Sequence, residues 1–344
     1  MSLFKKINTE NKLRLTLTFF AMNTLQEDCR DFDMTMAALV NRIITFYGPQ
    51  AAASVSARLA EYKSSLSETL AGVPGEITDR LCKARELQLR AAVPSYKDTP
   101  ESFLFRVNNA NMFLLTEDPA SGEELYYPRG MKVYVQALVE EFCRLPFLTR
   151  ERVYYKDILE SLQDAMKREC AVYILHSFGQ KYLARIYDIT SDPLSTYTYV
   201  VCRLISPQNK KRDGRIYSFR LSRIKNVIPR PSISGAFSPE ERKKTAAAVA
   251  ANGVQFVSDR VNTIIVEFTD EGLKLLKSSM QLRPHVTKVH EDGHTLEFRC
   301  TSGQAIFYFR RLGAQARVIK PAFIRRELAS WYLEAAQAYS DSLR

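Results

Sequence analysis

The 344-residue sequence contains no long hydrophobic run. Even the uninterrupted apolar run Ala246–Ala251 is far shorter than the roughly 18 residues that a transmembrane helix requires. Lys5 and Lys6 near the N-terminus are followed at once by polar residues, which predicts that no cleavable signal peptide is present. We therefore expect no membrane partner.

Closely spaced cysteines are also missing. The six cysteines are at least 27 residues apart, at Cys29, Cys82, Cys143, Cys170, Cys202 and Cys300. A zinc ribbon needs pairs of ligands a few residues apart, and a disulfide framework is typical of much shorter secreted chains. We therefore expect a reducing, cytoplasmic setting in which the thiols fill space as small apolar groups.

The common catalytic signatures are absent from the sequence. It contains no P-loop, no nucleophile elbow and no dinucleotide-binding fingerprint. Three of its four histidines, His285, His290 and His294, surround a predicted hairpin, but no carboxylate or thiol lies at a recognised ligand spacing from them. The sequence therefore predicts no metal, no cofactor and no enzymatic activity.

What the sequence does have is a surplus of positive charge on a globular composition, which is 46% hydrophobic and 11% aromatic. The length suggests two or three domains. The 49 lysines and arginines against 38 acidic residues give a net charge of +11. This surplus favours an anionic partner.

The positive charge is concentrated in two segments. Residues 203–230 contain nine basic residues and a single acid, and residues 299–326 contain seven basic residues and no acid. Because aromatic residues are interleaved with the charges, segment 203–230 predicts contact with nucleic acid. Segment 299–326 either extends that contact or binds a small anion, and its arginines near a helix C-terminus also fit the helix dipole.

The N-terminal segment alternates in the manner of a half-buried strand. In residues 12–20, three leucines and Phe19 take one face, and the other face carries Lys12, Arg14, Thr16 and Thr18. Two helices are predicted next, one beginning at Thr24 and one capped by Asp33 and ending at Gly48-Pro49. We predict no other strand in the following hundred residues, so the simplest partner for this strand is its symmetry mate in a homodimer.

This order of elements resembles the ribbon-helix-helix family of DNA-binding dimers, in which a two-stranded ribbon enters the major groove. The resemblance implies that Lys12, Arg14, Thr16 and Thr18 form a ribbon that faces duplex DNA. The next hundred residues predict helices, one of them capped by Thr99-Pro100 and carrying Phe103.

From Ala171 the pattern changes to short strands, as in a small barrel, at residues 171–176, 182–189, 197–204 and 216–224. The segment Tyr217–Ile224, with the sequence YSFRLSRI, resembles the closing signature of WYL domains, which are SH3-like barrels. Thr198-Tyr199-Val200 stands where these domains carry Trp-Tyr-Leu, so only the tyrosine is kept.

The C-terminal part is predicted to begin with a Ser/Gly linker at residues 232–238 and a helix at 239–251. The elements that follow have the order strand, helix, strand, strand, helix, strand, which is ferredoxin-like, and a last helix covers residues 321–339. This part resembles the extension that commonly follows WYL domains, often as a dimer or ligand module.

The predicted fold class is therefore multidomain α+β. It comprises a ribbon-helix-helix at residues 1–48, a helical spacer at 49–149, a WYL domain with an SH3-like barrel at 150–231 and a ferredoxin-like extension at 232–344. This order resembles the WYL-domain accessory proteins of type VI-D CRISPR systems. The resemblance implies a non-enzymatic homodimer that binds single-stranded RNA and enhances an RNA-guided CRISPR nuclease. The alternative is a transcriptional regulator whose ribbon binds duplex DNA and whose WYL domain senses a ligand.

Strand parity predicts which barrel residues would hold the RNA. Tyr199 and Arg203 share one face of their strand, and Arg220 points away from the core face of the closing strand. Arginines hold phosphates through charge-assisted hydrogen bonds, and tyrosine rings stack on unpaired bases. The predicted RNA-binding residues are Tyr199, Arg203, Arg220, Arg223, His176 and Ser177.

Overall fold

The computed structural model describes residues 11–69, 75–90, 101–116, 131–191, 196–279 and 281–341. The chain divides into two compact units, Met1–Lys156 and Asp157–Arg344. None of the described helices is both long and apolar enough to span a membrane.

The α-helices are α1 (Phe19–Phe32), α2 (Met36–Arg42), α3 (Gly48–Thr69), α4 (Gly75–Arg90), α5 (Asn109–Thr116), α6 (Met131–Cys143), α7 (Phe147–Tyr154), α8 (Lys156–Lys167), α9 (Pro239–Asn252), α10 (Asp270–Ser278), α11 (Ser302–Phe309) and α12 (Ala322–Asp341). The strands are β1 (Lys12–Leu17), β2 (Glu101–Arg106), β3 (Cys170–His176), β4 (Lys181–Ser191), β5 (Thr198–Leu204), β6 (Ile216–Arg220), β7 (Ile224–Ser234), β8 (Val261–Phe268), β9 (His285–Val289), β10 (Thr295–Thr301) and β11 (Ala316–Lys320).

The N-terminal strand finds its partner within the same chain. β1 pairs antiparallel with β2, which places Lys12 opposite Arg106 and Leu17 opposite Glu101. The prediction that β1 pairs with a symmetry mate is therefore wrong, and so is the helix predicted around Phe103. Phe103 and Phe105 alternate with exposed residues in a strand pattern, whereas Thr99 and Pro100 lie outside the described residues. The alternation of β1 itself is confirmed, because Leu15 and Leu17 are fully buried.

The first helix begins five residues earlier than the sequence predicts. Thr18 is the N-cap of α1, and its hydroxyl accepts a hydrogen bond from the Ala21 N–H at 3.2 Å. The same hydroxyl donates to the Glu140 carboxylate on α6 at 2.8 Å. Thr18 therefore does not belong to the outward face of the ribbon, and Phe19 lies on the helix rather than on the strand.

The second helix also differs from its prediction at both ends. Asp33 ends α1 in the left-handed conformation, with φ of 52°, and the N-cap of α2 is Thr35. A π-helical turn, Ile43–Tyr47, then leads directly into α3, so Gly48-Pro49 does not end the helical path.

A buried ion pair stabilises the core of the first unit. Arg150 on α7 donates two hydrogen bonds of 2.8 Å to the carboxylate of Asp28 on α1. The Tyr154 hydroxyl donates to the same carboxylate at 3.0 Å. Because Asp28 is fully buried, these three donors compensate the loss of water around its charge.

The second unit contains a five-stranded antiparallel sheet of order β6-β5-β4-β3-β7. Strands β3 to β6 confirm the predicted positions to within a few residues, although the strand predicted at 216–224 ends at Arg220. The prediction missed β7, an eleven-residue strand that continues through Ser234, so residues 232–234 are strand rather than linker. A short 3₁₀ turn, Leu221–Arg223, separates β6 from β7.

A four-stranded antiparallel sheet of order β11-β8-β10-β9 follows in the same unit. The predicted order of strand, helix, strand, strand, helix, strand is present, as β8, α10, β9, β10, α11 and β11. Ile264, Val266 and Phe298 from this sheet pack with Tyr308, Phe309 and Ile324 from the helices to form its core.

Candidate nucleic-acid interface

The two faces of the five-stranded sheet have different surroundings. Tyr199, Val201 and Arg203 alternate along β5 on the face that α9 and the following loop cover, where Val249 and Val254 pack against them. Val200 and Cys202 alternate onto the opposite, fully buried face. The predicted parity of the strand is confirmed, because Tyr199 lies opposite Arg220 and Val200 lies opposite Phe219.

On the α9 face, one carboxylate holds two arginines. Arg185 and Arg203 lie directly opposite each other on β4 and β5. Both donate to Oε1 of Glu241, at 2.5 Å and 2.9 Å. The side chain of Arg203 is only 16% exposed, so it is not available to a phosphate while Glu241 holds it.

Local structure places Glu241 where it meets both arginines. It is the third residue of α9, and it forms a capping box with Ser238, whose N–H donates to it at 3.0 Å. Hydrogen bonds from Arg185 and from the Ser238 backbone lower the pKa of Glu241 to about 2. The carboxylate is therefore charged throughout the physiological range.

The remaining predicted residues on this face are also occupied. Tyr199 is buried, with 7% exposure, so its ring has no open face for a base. The Arg220 guanidinium carbon lies 3.1 Å from the centroid of the Tyr197 ring, in a cation–π contact. The prediction that these side chains line an open groove is therefore wrong for Tyr199 and Arg203, because α9 and Glu241 cover that face.

Arg223, His176 and Ser177 form a second cluster at the end of β3. The turn from β3 to β4 is closed by hydrogen bonds from the His176 N–H to the Gln180 carbonyl at 2.8 Å and from the Gly179 N–H to the His176 carbonyl at 2.9 Å. Gly179 has φ of 79°, a conformation that glycine adopts without steric cost. The Ser177 N–H donates to the Arg223 carbonyl at 2.8 Å, which holds the 3₁₀ turn beside this hairpin.

The turn presents an aromatic side chain next to Arg223. Phe178, at the tip of the turn, is 72% exposed. The Arg223 guanidinium lies 5.8 Å from the centroid of this ring, and the His176 ring lies 5.1 Å from it. No carboxylate forms an ion pair with Arg223 among the residues that the structure describes. A cation and an exposed ring therefore lie together at this end of the sheet.

Two tyrosines extend this cluster into a continuous surface. The His176 and Tyr182 rings are 6.5 Å apart, and the Tyr182 and Tyr217 rings stack at 5.9 Å with an angle of 26° between planes. Phe219 packs against all three rings at 4.8 to 5.9 Å and supports them from the core. We call the surface formed by Phe178, His176, Tyr182 and Tyr217 the aromatic row.

The electrostatics of the aromatic row favour an anion. Partial burial lowers the pKa of His176, and the nearby charge of Arg223 lowers it further, so the imidazole is neutral near pH 7. Arg212 and Arg215 lie close enough to Tyr217 to oppose the rise in its pKa that burial causes. The row therefore lies between cations at both ends.

Sequence reasoning missed Phe178, Tyr182 and Tyr217 as site residues. All three belong to the strands that were predicted correctly or to the turn between them. Tyr182 lies two residues before Ala184 on β4, and Tyr217 lies two residues before Phe219 on β6, so period-two alternation places each on the core face. The alternation that places these rings on one face is visible in the sequence. Their position next to one another depends on the register between strands, which the sequence pattern does not give.

Three of the seven basic residues of the second basic segment make contacts within the protein. Arg317 forms an ion pair with Glu267 at 2.6 Å. Arg310 lies 5.2 Å from the Phe307 ring centroid, and Arg311 lies 5.1 Å from it. These contacts favour a structural role for Arg310, Arg311 and Arg317. The other four basic residues of the segment are exposed: Arg299, Lys320, Arg325 and Arg326.

The outward face of the β1–β2 ribbon carries the remaining predicted residues. Lys12 lies directly opposite Arg106, and Arg14 lies opposite Leu104. All four side chains are exposed. Thr16 is half-buried. Like charges directly opposite each other destabilise an antiparallel pair, so a nearby anion would relieve this arrangement.

Comparison with known proteins shows the fold of the chain. No protein-family model matches the sequence, and no curated protein is significantly similar to it. A solved structure described as a CRISPR Cas-related protein is similar over 97% of this chain and 95% of its own length, with a TM-score of 0.69 and 17% sequence identity. The proteasome accessory factor B/C (PafBC) of Arthrobacter aurescens is matched over 67% of this chain and 36% of its own, with 15% identity and a TM-score of 0.32, too low to indicate a shared fold.

Proposed function

We propose that the protein is a non-enzymatic accessory protein of a CRISPR system that binds single-stranded RNA along the aromatic row. The single observation that carries RNA binding is the exposed Phe178 ring beside Arg223, which forms no ion pair with a described residue, continued by the rings of His176, Tyr182 and Tyr217. Proteins that bind single strands combine stacking rings with cations that follow the backbone. The aromatic row supplies both.

Single-stranded RNA suits this surface better than a duplex. Unpaired bases expose faces that stack on aromatic side chains, whereas bases in an A-form helix are stacked on one another. The centroids of neighbouring rings along the row are 5.1 to 6.5 Å apart. A short segment of single-stranded RNA can therefore contact several of these rings. The SH3-like WYL barrel and the ferredoxin-like extension that the sequence resembles are consistent with this role.

The experiment compares an arginine of the row with one of the covered face. We expect Arg223→Gln to weaken binding of an unstructured RNA severalfold and to reduce the salt slope by about 0.7, the value for one phosphate on a single strand. Arg203→Gln should leave RNA affinity unchanged and lower the melting temperature. Lys243→Gln, an exposed charge on α9, is the matched control for net charge. If Arg223→Gln and the unchanged protein bind RNA with equal affinity, the aromatic row is not the RNA-binding site.

The CRISPR role is supported by the shared fold and by the family resemblance of the sequence. The solved structure that covers 97% of this chain is described as CRISPR Cas-related. We propose that RNA held on the row is presented to an RNA-guided, RNA-targeting nuclease, which the protein enhances. The test is the rate of target RNA cleavage by the type VI-D nuclease from the same genome, with and without the protein. RNA turnover by the protein alone would contradict the non-enzymatic assignment. The homodimer that the resemblance implies remains a prediction.

A second candidate function is duplex DNA binding by the ribbon, as in a transcriptional regulator. The observation that favours it is the outward row of Lys12, Arg14 and Arg106 on a two-stranded ribbon, an element that the major groove of B-DNA admits. The test is a titration of the unchanged protein and of Arg14→Ala with duplex DNA, at the same salt concentration as the RNA titration. Duplex binding stronger than RNA binding, and lost in Arg14→Ala, would favour the regulator.

A further inference from the structure

A polar cleft of about 530 Å³ lies within the second unit, at the end of the aromatic row that Tyr182 and Tyr217 form. The sheet contributes Tyr182, Arg212, Arg215 and Tyr217 to its walls, and the segments after the sheet contribute Asp259, Arg260 and Glu327. We call it the arginine cleft. Its volume lies in the range of small-molecule binding sites.

Three arginines line this cleft, and the side chains of two of them have no partner among the described residues. Arg215 donates to the backbone carbonyl of Ser258, which holds its guanidinium in place. The side chains of Arg212 and Arg260 are exposed, and within the described part of the chain neither forms an ion pair or a hydrogen bond. Two free guanidinium groups beside an anchored one are suited to a phosphate, because charge-assisted bonds to phosphate are strong and often bidentate.

The tyrosines add a flat aromatic wall. Tyr182 and Tyr217 stack at 5.9 Å and line the cleft together. Burial raises the pKa of Tyr217, Tyr182 adds to the rise, and Arg215 and Arg212 oppose it. The cations and the aromatic wall are therefore close enough to contact one small ligand.

The cleft also contains two carboxylates with different roles. Asp259 accepts a hydrogen bond from the Gly303 N–H at 3.1 Å, so it caps the start of α11. Glu327 on α12 is exposed and has no partner among the described residues, although arginines line the same cleft. A free carboxylate repels phosphate and accepts hydrogen bonds from hydroxyl groups, as acidic residues do from the ribose in dinucleotide sites.

We propose that the arginine cleft binds a single ribonucleotide, with its phosphate at Arg212, Arg215 and Arg260. The base lies against Tyr182 and Tyr217, and the ribose hydroxyls face Glu327. The nucleotide is either free or the terminal nucleotide of an RNA strand. The proposal goes beyond the RNA-binding function: the cleft shares Tyr182 and Tyr217 with the aromatic row, but it does not require that Phe178, His176 or Arg223 bind RNA.

The test is isothermal titration of the full chain with AMP, adenosine and inorganic phosphate. We expect AMP to bind at least tenfold more tightly than phosphate or adenosine, because it engages both the arginines and the tyrosines. Arg212→Gln combined with Arg260→Gln should weaken AMP binding at least tenfold. Neither side chain bonds to the described protein, so the melting temperature should not change.

The matched control is Lys288→Gln combined with Arg299→Gln, which removes two exposed charges from the four-stranded sheet. This control should bind AMP as the unchanged protein does. Glu327→Gln should reduce the preference for AMP over its 2′,3′-dideoxy analogue. AMP that binds no more tightly than phosphate, or binds equally in the double variant of Arg212 and Arg260, would overturn the proposal.

The 5′-phosphate of an RNA strand distinguishes the two sources of the nucleotide. If a 5′-phosphate strengthens RNA binding in the unchanged protein and not in the double variant of Arg212 and Arg260, the cleft takes an RNA end. If AMP binds in the cleft and the 5′-phosphate has no effect on RNA affinity, the cleft takes a free nucleotide. If the protein binds AMP but no RNA, the proposed RNA function is refuted and the proposal that the cleft binds a nucleotide stands.

Discussion

The two arginine-rich sites on the five-stranded sheet differ in one respect, which is whether the protein supplies their counter-charge. On the α9 face, Arg185 and Arg203 share the Glu241 carboxylate. At the aromatic row, Arg223 lies beside Phe178 and has no carboxylate partner among the described residues. Arginine and aromatic residues are present at both sites, so composition alone does not distinguish a structural site from a binding site. The Glu241 carboxylate from α9 distinguishes them, because it neutralises the arginines of one site only.

The largest effect on stability is expected at the covered face. Glu241→Gln should lower the free energy of unfolding by about 2 kcal/mol at pH 7, because it leaves two arginines that are 20% and 16% exposed without a charged acceptor. Denaturant titration measures this change. RNA affinity should be unaffected, and a loss of RNA binding without a loss of stability would reverse the assignment of the two faces.

The same variant should remove part of the pH dependence of stability. The pKa of Glu241 is lowered from its ordinary value of 4.5 to about 2 in the folded protein. A lowered carboxyl pKa stabilises the fold above the unfolded value, and this contribution is lost as the pH falls from about 4.5 to 2. The stability difference between the unchanged protein and Glu241→Gln should therefore narrow over that range.

A tyrosine pair tests the aromatic row. Tyr182→Leu should weaken RNA binding by roughly 1–3 kcal/mol, the range found for one base stacked on an aromatic ring. The matched control is Tyr187→Leu, on the same strand, whose ring packs against Phe237 beside α9 at 5.6 Å. The control should lower stability and leave RNA affinity unchanged. Similar RNA affinities for the two variants would contradict the distinction between the faces.

The smallest effect is expected from His176. Because its pKa lies below the ordinary value of 6.5, the imidazole gains a proton only under acidic conditions. Protonation adds a cation to the row, so RNA affinity should rise by a few-fold between pH 7.5 and pH 5.5. His176→Gln should abolish this rise and leave the affinity at pH 7.5 nearly unchanged. Binding measured at constant ionic strength checks both values.

Much of the second unit could be predicted from residue patterns. The strands and the order of β8, α10, β9, β10, α11 and β11 follow from short-range alternation and turn residues, which act within a few positions. The start of α1 could not be predicted in this way. It depends on Thr18, which is held by Glu140 more than a hundred residues away. The pairing of β1 with β2 is likewise a long-range contact.

Among the predicted site residues, the tertiary structure separated what the sequence grouped. Arg203 and Arg223 have the same chemistry and lie in the same basic segment. Glu241 approaches only the first of them, because α9 packs on one face of the sheet. No pattern local to residues 203–230 reports that contact.

The sequence by itself determined the secondary structure of most of the second unit, the concentration of positive charge and the parity of each strand, because these depend on neighbouring residues. Only the tertiary structure decided which arginines are neutralised, which rings form a continuous surface and which strand pairs with β1. Each of these is set by residues that are distant in sequence and meet only when the chain is packed.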